Sequence, residues 1–218
     1  MNNLRLSVTD LDSYVWFKHS EQEPDELMRR LRKEEPPSPE MQRGIALHKA
    51  LELARTGDFL SLQADGYSFN VLGDIELPLA TLREVKAEYP VKISPNLTVT
   101  LVGKVDVLHG LTIEDHKGTS RFDGSYGAEN YFRTAQWKYY LSIFKANRFI
   151  WNVFVLKEVD FREYDVVDFH RFDQYRYVGM ESECDDLLRE FLDFLGIEQK
   201  EFLPEIETPL ATLLKANQ

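Results

Sequence analysis

Cysteine is almost absent from this chain of 218 residues, which contains only Cys184. One cysteine cannot form an internal disulfide, a cysteine-rich zinc site or an iron–sulfur cluster. A bound metal would therefore take its ligands from Asp, Glu and His. The low cysteine content also fits a reducing cytoplasm, which is the expected location. No apolar run reaches about eighteen residues, so neither a membrane span nor a membrane partner is expected.

An excess of positive charge is also missing, because the formal net charge is -11 at pH 7. This balance argues against a passive coat on nucleic acid, which is normally basic. The charge is unevenly distributed, however. Residues 116–150 contain six basic and two acidic residues, whereas acids outnumber bases from residue 158 onward. An acidic body with one basic strip can still bind a polyanion locally.

The length favours a single domain over residues 1–218, with a helical N-terminal part at 1–57 and an acidic helical C-terminal part at 170–218. Apolar and β-branched residues alternate in several segments, which predicts an α/β fold with a central mixed sheet within residues 84–168. Three helices are predicted to flank this sheet, at residues 39–56, 129–146 and 171–195.

The two ends of the chain and one internal segment complete this pattern. LSVTDLDSYVWFKH, at residues 6–19, predicts a short helix capped by Ser7 or Thr9. Residues 58–83 show no clear period and are left unassigned. The tail after Pro204 predicts one last short helix.

A predicted β-hairpin, GKVDVLHGLTIEDHKGT, holds acids and a lysine where a fold would favour apolar side chains. Residues two apart on a strand share a face, so Asp115 and Lys117 point the same way, with Asp106 across the turn. Neighbouring carboxylates repel unless a cation lies between them, and such oxygen ligands suit Mg²⁺ or Mn²⁺. With a lysine beside a water, this set fits phosphodiester hydrolysis. A surface hairpin with an ordinary Lys–Asp pair is the simpler alternative.

The helix before the hairpin contains QRGIALHKALELA, in which Gly44, His48 and Glu52 are four residues apart and form one stripe. A glycine one turn before His48 would let another backbone or a nucleic-acid strand come close. His48 is either a metal ligand or a hydrogen-bonded core residue. Glu52 either orients the imidazole or forms an ordinary salt bridge.

The helix after the hairpin contains AQWKYYLSIF, in which Gln136 and Tyr140 lie one turn apart. Together with Arg133 and Lys138 they offer amide, hydroxyl and cationic donors suited to phosphate oxygens. The aromatic residues of this segment could stack on bases. An aromatic stripe at helical spacing is usually part of a core, however, and this is the preferred interpretation for Trp137 and Phe144. Gln136 carries more information, because a buried amide must find partners.

Four short motifs follow one another on these elements: R-G-x-x-x-H at Arg43, Gly44 and His48, G-x-x-D at Gly103 and Asp106, D-x-K at Asp115 and Lys117, and Q-x-x-x-Y at Gln136 and Tyr140. In this order they resemble the PD-(D/E)XK nuclease superfamily, in its RecB-like exonuclease branch. The opening LSVTDLDSYVWFKHS is also similar to that branch. The resemblance covers about residues 6–158.

The resemblance implies a restriction-endonuclease-like core, with the active site at the bend of the hairpin, facing His48. His48, Asp106, Asp115 and the backbone carbonyl of His116 would bind Mg²⁺ or Mn²⁺. Lys117 would position or activate the attacking water. The remaining candidates are Gln136 and Tyr140, which would hold the lysine and the DNA backbone, Glu88 and Glu52 as additional acids, and Arg43, Arg121, Arg133 and Lys138 as DNA contacts.

The implied activity is a metal-dependent DNA exonuclease that leaves 5′-phosphate and 3′-hydroxyl ends, without the iron–sulfur cluster of many relatives. DNA, as single strands or duplex ends, is the expected substrate, in recombination, repair or phage DNA processing within a bacterial or phage-infected cell. A recombination or single-strand annealing protein is a second expected partner. The alternatives are a non-catalytic member that binds DNA or such a protein, and a structure-specific or RNA-acting nuclease.

Overall fold

The computed structural model describes residues 2–54, 61–73, 82–197 and 208–209 of the chain. Over these ranges it is an α/β protein with one mixed sheet and helices on both faces. The helices are α1 (Val8–Lys18), α2 (Pro24–Leu31), α3 (Pro39–Leu53), α4 (Gly124–Phe132), α5 (Gln136–Ile143) and α6 (Met180–Phe194). The strands are β1 (Asn2–Ser7), β2 (Ser61–Ala64), β3 (Tyr67–Val71), β4 (Leu82–Ser94), β5 (Leu97–His109), β6 (Thr112–Thr119), β7 (Arg148–Asp160), β8 (Glu163–Tyr175) and β9 (Thr208–Pro209).

Eight strands of the sheet lie on one path, in the order β2-β3-β8-β7-β6-β5-β1-β9, and β4 pairs with β5 beside that path. The β6–β7 and β1–β5 pairs are parallel, whereas β5–β6 and β7–β8 are antiparallel. The predicted mixed sheet is thus confirmed, and it extends beyond residues 84–168 at both ends.

The centre of the sheet contains a fork on one edge of β5. The other edge of β5 pairs with β4 along nearly its whole length. On the fork edge, β1 pairs with residues 97–102 and β6 pairs with residues 107–109. Residues 103–106 therefore lack a partner strand on this edge within the described ranges. The strands β1 and β6 diverge here, and the opening between them leaves the middle of β5, at residues 103–106, unpaired on this edge.

The two faces of the sheet are covered by different helices because the apolar residues alternate along the strands. On one face, α1, α2, α5 and α6 pack over a large cluster that includes Leu6, Leu11 and Phe191. On the other face, α3 buries Leu47 and Leu51 against β2, β3 and the adjoining parts of β7 and β8. None of the helices in the described ranges is long and apolar enough to cross a membrane.

The predicted helix ends agree with the observed caps at the N-terminal side of the chain. Ser7 caps α1 and accepts the backbone N–H of Asp10, whose carboxylate accepts the N–H of Ser7 in return. Ser38 caps α3, with Pro39 at the first helical position, as its sequence indicates. The segment before α1 is strand β1, which the sequence did not indicate.

Two of the predicted helices need correction. The helix predicted at 129–146 is two helices, because the chain turns at Thr134, whose hydroxyl donates to the carbonyl of Tyr131. The helix predicted at 171–195 begins only at Met180, because β8 stays paired with β7 as far as Tyr175. The unassigned segment 58–83 contains β2 and β3. The short helix predicted in the tail falls mostly outside the described residues.

Gly103 lies where α5 crosses β5, and we expect Gly103→Ala to destabilise the fold. A Cβ there would lie 3.2 Å from two ring carbons of Tyr140 and 3.3 Å from the Cδ1 of Ile143. Both neighbours are buried, so overpacking should lower the free energy of unfolding by about 1–3 kcal/mol. Denaturant unfolding measures this, with Gly44→Ala as the matched control, since a Cβ at Gly44 meets nothing within 4 Å. Equal stability of Gly103→Ala and the wild type would contradict this packing.

Candidate active site

The candidate active site lies at the fork, at the open end of the β5–β6 hairpin. The prediction that it lies at the bend of the hairpin is wrong, because Val107 and Glu114 form the last strand pair before β6 leaves β5. Asp106 and Asp115 follow directly beyond that pair, on the two separating strands. The turn itself, at Gly110 and Leu111, is at the other end of the hairpin.

The Asp106 side chain connects β5 to the backbone of β6 at the fork. Its Oδ2 accepts the backbone N–H of His116 at 2.7 Å, a donor that would otherwise need a strand partner. Its Oδ1 lies 3.0 Å from the Nδ1 of His48, on α3. Burial would raise the pKa of Asp106, but the hydrogen bond and the charge of His48 outweigh it and lower the pKa to about 2. The carboxylate is therefore ionised at neutral pH.

His48 is brought to the site as the sequence predicts. Burial would lower the pKa of His48, but Asp106 raises it above its ordinary value through a hydrogen bond and through its charge. The imidazole therefore pairs with a carboxylate, which agrees with both interpretations of His48, the metal ligand and the hydrogen-bonded residue. Glu52, one turn later, does not orient this ring. Glu52 is exposed, and its backbone carbonyl accepts a hydrogen bond from Arg83.

Asp115, which is buried, and Lys117, which is partly exposed, form an ion pair beside Asp106, with Lys117 Nζ 2.6 Å from Asp115 Oδ2. Asp115 Oδ1 accepts the amide of Gln136 at 3.0 Å. Burial raises the pKa of Asp115 to about 6, helped by the charge of Asp106 and opposed by Lys117. Burial would lower the pKa of Lys117, but the two carboxylates raise it above its ordinary value. Lys117 is thus an ammonium at neutral pH and can act through its charge.

The second helix of the pair, α5, covers this ion pair. Gln136 and Tyr140 are both buried, and the ring of Tyr140 lies against Gly103. Burial and the charge of Asp115 raise the pKa of Tyr140 to about 12, so the hydroxyl stays protonated and can donate. The prediction that Gln136 must find a polar partner is confirmed by its bond to Asp115.

A buried polar network supports the other face of β6. Glu114 is 1% exposed and accepts bonds from Arg171 at 3.0 Å and from Asn152 at 2.7 Å. The Nδ2 of Asn152 also lies 3.3 Å from Nδ1 of His116. Burial lowers the pKa of His116 to about 4, so its ring is neutral and can accept from the amide. This network fixes the strand whose carbonyl is a candidate metal ligand.

Not all predicted residues reach the site. Arg43 packs its guanidinium 5.4 Å from the ring centre of Tyr164, away from the acids. The carboxylate of Glu88 pairs with Arg5 instead of joining the acidic cluster. Lys138 is bound by Glu183 of α6. Of the four predicted DNA contacts, the exposed ones are Arg121 and Arg133, which pair with Asp123 and Glu129.

The structure also adds residues that sequence reasoning missed. The ring of Trp151 lies 5.4 Å from Lys117 Nζ, so it contributes a cation–π contact to the ammonium. Asp12, on α1, accepts the backbone N–H of Ala135 at 2.9 Å, at the start of α5. Trp151 lies on β7, and its place beside β6 follows from a parallel strand pairing between distant residues, which local alternation does not show. No local signal links Asp12 to residue 135.

No family model matches this sequence, and no curated protein matches it significantly. Among solved structures, the crystal structure of SSO0001 is similar, with a TM-score of 0.52 at 14% sequence identity. The similarity covers 91% of this chain and 79% of that chain. At this identity the similarity concerns the fold alone, and it agrees with a mixed sheet flanked by helices.

We expect Arg171→Ala to destabilise the protein because it removes one of the hydrogen-bonded partners of the buried Glu114 carboxylate. The loss in unfolding free energy should be about 1–3 kcal/mol, since Arg171 is partly exposed and water can replace some of its contact. Chemical denaturation measures this. Arg121→Ala is the control, because Arg121 and Asp123 are both exposed and such a pair contributes little. Equal stability of the two variants would show that Glu114 does not depend on Arg171.

Proposed function

We propose that this chain is a divalent-metal-dependent nuclease of the PD-(D/E)XK superfamily that removes nucleotides from DNA ends. The observation that supports this most strongly is the polar cluster at the fork: Asp106 with His48, and Asp115 with Lys117 and Gln136. Asp115 and Gln136 are buried, and the other three side chains are partly exposed. Burying ionisable groups is costly, and a fold alone has no need of two carboxylates and a lysine at this point. Perturbed pKa values at a cleft are typical of functional sites.

The donor set suits a hard divalent cation. Oδ2 of Asp115 is buried and receives no hydrogen bond of good geometry from the described residues, although the Lys117 ammonium lies beside it. Asp106, Asp115, His48 and the His116 carbonyl would hold Mg²⁺ or Mn²⁺, oxygen-preferring ions. As the side chains stand, no three His, Cys, Asp or Glu groups in the described part of the chain form a ready-made metal site.

The bound ion would polarise the phosphate and lower the pKa of a water ligand. The chain's own residues supply the rest. Lys117, held as an ammonium, stabilises negative charge that develops on the phosphate oxygens. Gln136 keeps Asp115 in place, and the protonated Tyr140 hydroxyl offers a donor beside it. Products with a 5′-phosphate and a 3′-hydroxyl follow from the resemblance and belong to the same proposal.

We expect Lys117→Ala to reduce DNA hydrolysis by about 100-fold or more, because it removes the ammonium beside Asp115 that can face the phosphate. The assay uses end-labelled linear duplex and single-stranded DNA with Mg²⁺, Mn²⁺ or EDTA. Lys86→Ala is the matched control, because Lys86 is an exposed lysine on β4 that pairs with Glu88. Thermal unfolding of each variant shows that the fold is retained.

The outcomes of this assay separate the candidate functions. Shortening from an end that needs the metal and is lost in Lys117→Ala supports the exonuclease. Internal cleavage with the same dependence supports a structure-specific nuclease of the same superfamily. DNA binding without cleavage by the wild type, with either metal, would contradict the catalytic proposal and favour the non-catalytic alternative.

We expect Gly44→Ala to raise stability and weaken DNA binding at the same time. Replacing glycine by alanine inside a helix stabilises by up to about 1 kcal/mol. Gly44 lies one turn before His48, and the space where its Cβ would stand is open. If the DNA backbone approaches α3 there, an added methyl group raises KM several-fold while kcat changes little. Unchanged KM together with raised stability would place the DNA elsewhere.

A further inference from the structure

Helix α1 begins at the fork, because β1 pairs with β5 only as far as Val102 and the chain then turns into α1. Its first turns bring Asp12 to the start of α5. Oδ1 of Asp12 accepts the backbone N–H of Ala135 at 2.9 Å and that of Gln136 at 3.4 Å. A carboxylate 123 residues earlier in the chain thus binds the first amides of the helix that covers the site.

This contact replaces a cap that α5 lacks. The residue at its N-cap position is Ala135, which has no side-chain acceptor, and no acid lies in the first turn of α5. Ala135 and Gln136 are buried, so water cannot easily satisfy their amides. Unsatisfied first-turn amides destabilise a helix, and so does the loss of a capping side chain. Asp12 is therefore the acceptor on which the start of α5 depends.

The start of α5 also provides a direct contact to the candidate active site. The side chain of Gln136, the first residue of α5, donates to Asp115 at 3.0 Å. A carboxylate near the start of a helix also interacts favourably with the helix dipole. Any shift of the first turn of α5 would move Gln136 relative to Asp115.

We propose that Asp12 is a positioning residue of the active site: it caps α5 and so holds Gln136 against Asp115. This inference rests on the proposed nuclease function, and it makes α1 part of the machinery rather than an accessory helix. Burial raises the pKa of Asp12, and the Ala135 amide and the Lys117 ammonium oppose that rise. The carboxylate therefore lies within the electrostatic field of the same site.

The experiment compares Asp12→Ala with Asp12→Asn, Gln136→Ala and the double variant Asp12→Ala/Gln136→Ala. Asparagine keeps an oxygen at the same place and caps helices about as well as aspartate. Ser13→Ala is the control on the same helix, because the Ser13 hydroxyl donates to the Thr9 carbonyl one turn earlier, within α1 itself. Each variant is measured for kcat and KM on end-labelled DNA, for thermal stability, and for hydrogen exchange of the amides at 135 and 136.

We expect Asp12→Ala to lower kcat by about 10- to 100-fold with little change in KM, since small misplacements near reacting groups have effects of this size. Asp12→Asn should retain kcat within about threefold, because its amide oxygen accepts the same bonds. In the Gln136→Ala background, Asp12→Ala should have little further effect on kcat. Amide exchange at 135 and 136 should accelerate in Asp12→Ala and stay slow in Asp12→Asn.

Two results would overturn the inference. An equal loss of kcat in Asp12→Asn and Asp12→Ala would show that the charge, not the cap, is what matters. Additive losses in the double variant would show that Asp12 does not act through Gln136. If the wild type hydrolyses no DNA, the nuclease proposal fails by itself. The exchange of amides 135 and 136, and the coupling of the two substitutions in thermal unfolding, then still decide whether Asp12 holds the start of α5.

Discussion

The hydrogen bond from the backbone N–H of His116 to Asp106 is the interaction on which the site depends. Strand β5 pairs with β4 on one edge, and its other edge is shared by β1 and β6. Where β6 leaves β5, its backbone donors lose their ladder partners and must be satisfied in another way. Asp106 does this with one carboxylate oxygen and meets His48 with the other. The Asp106 side chain thus replaces the next ladder hydrogen bond of β6 and also binds His48 of the candidate site.

The buried charges at the fork compensate one another in pairs. Asp106 is ionised because the hydrogen bond and the charge of His48 outweigh its burial. Asp115 is ionised less readily, because burial dominates and Lys117 opposes it only in part. When two carboxylates interact, the negative charge of one raises the pKa of the other, so that their pKa values differ. Removing the side chain of His48 or Lys117 would leave a carboxylate without its positive partner. That loss costs more stability than replacing both partners by apolar residues. The arrangement therefore has to be retained as a unit.

Much of the site could be predicted from the sequence because its signals are local. The D-x-K spacing on one strand face and the four-residue spacing of Gln136 and Tyr140 correctly placed these side chains. What failed was non-local: the pairing of β8 to Tyr175, the break between α4 and α5, and the contacts of Asp12 and Arg171. Those depend on residues that are distant in the chain, and hydrophobic periodicity carries no information about such partners. The predicted position of the site, at the bend of the hairpin, was wrong for the same reason. It depends on where β6 stops pairing with β5, and β1 pairs with the remainder of that edge.

The charge of the protein constrains how a polyanion could reach this site. A net charge of -11 repels DNA at long range, and Lys138, within the basic strip, is neutralised by Glu183. Lys117 is itself balanced by Asp115, so the fork offers little net positive charge to a phosphate. A divalent cation held between the two carboxylates would reverse the local sign. For the proposed nuclease, the metal would then contribute to substrate binding as well as to the chemical step. Because the rest of the surface is acidic and repels DNA, binding would be favoured at the fork.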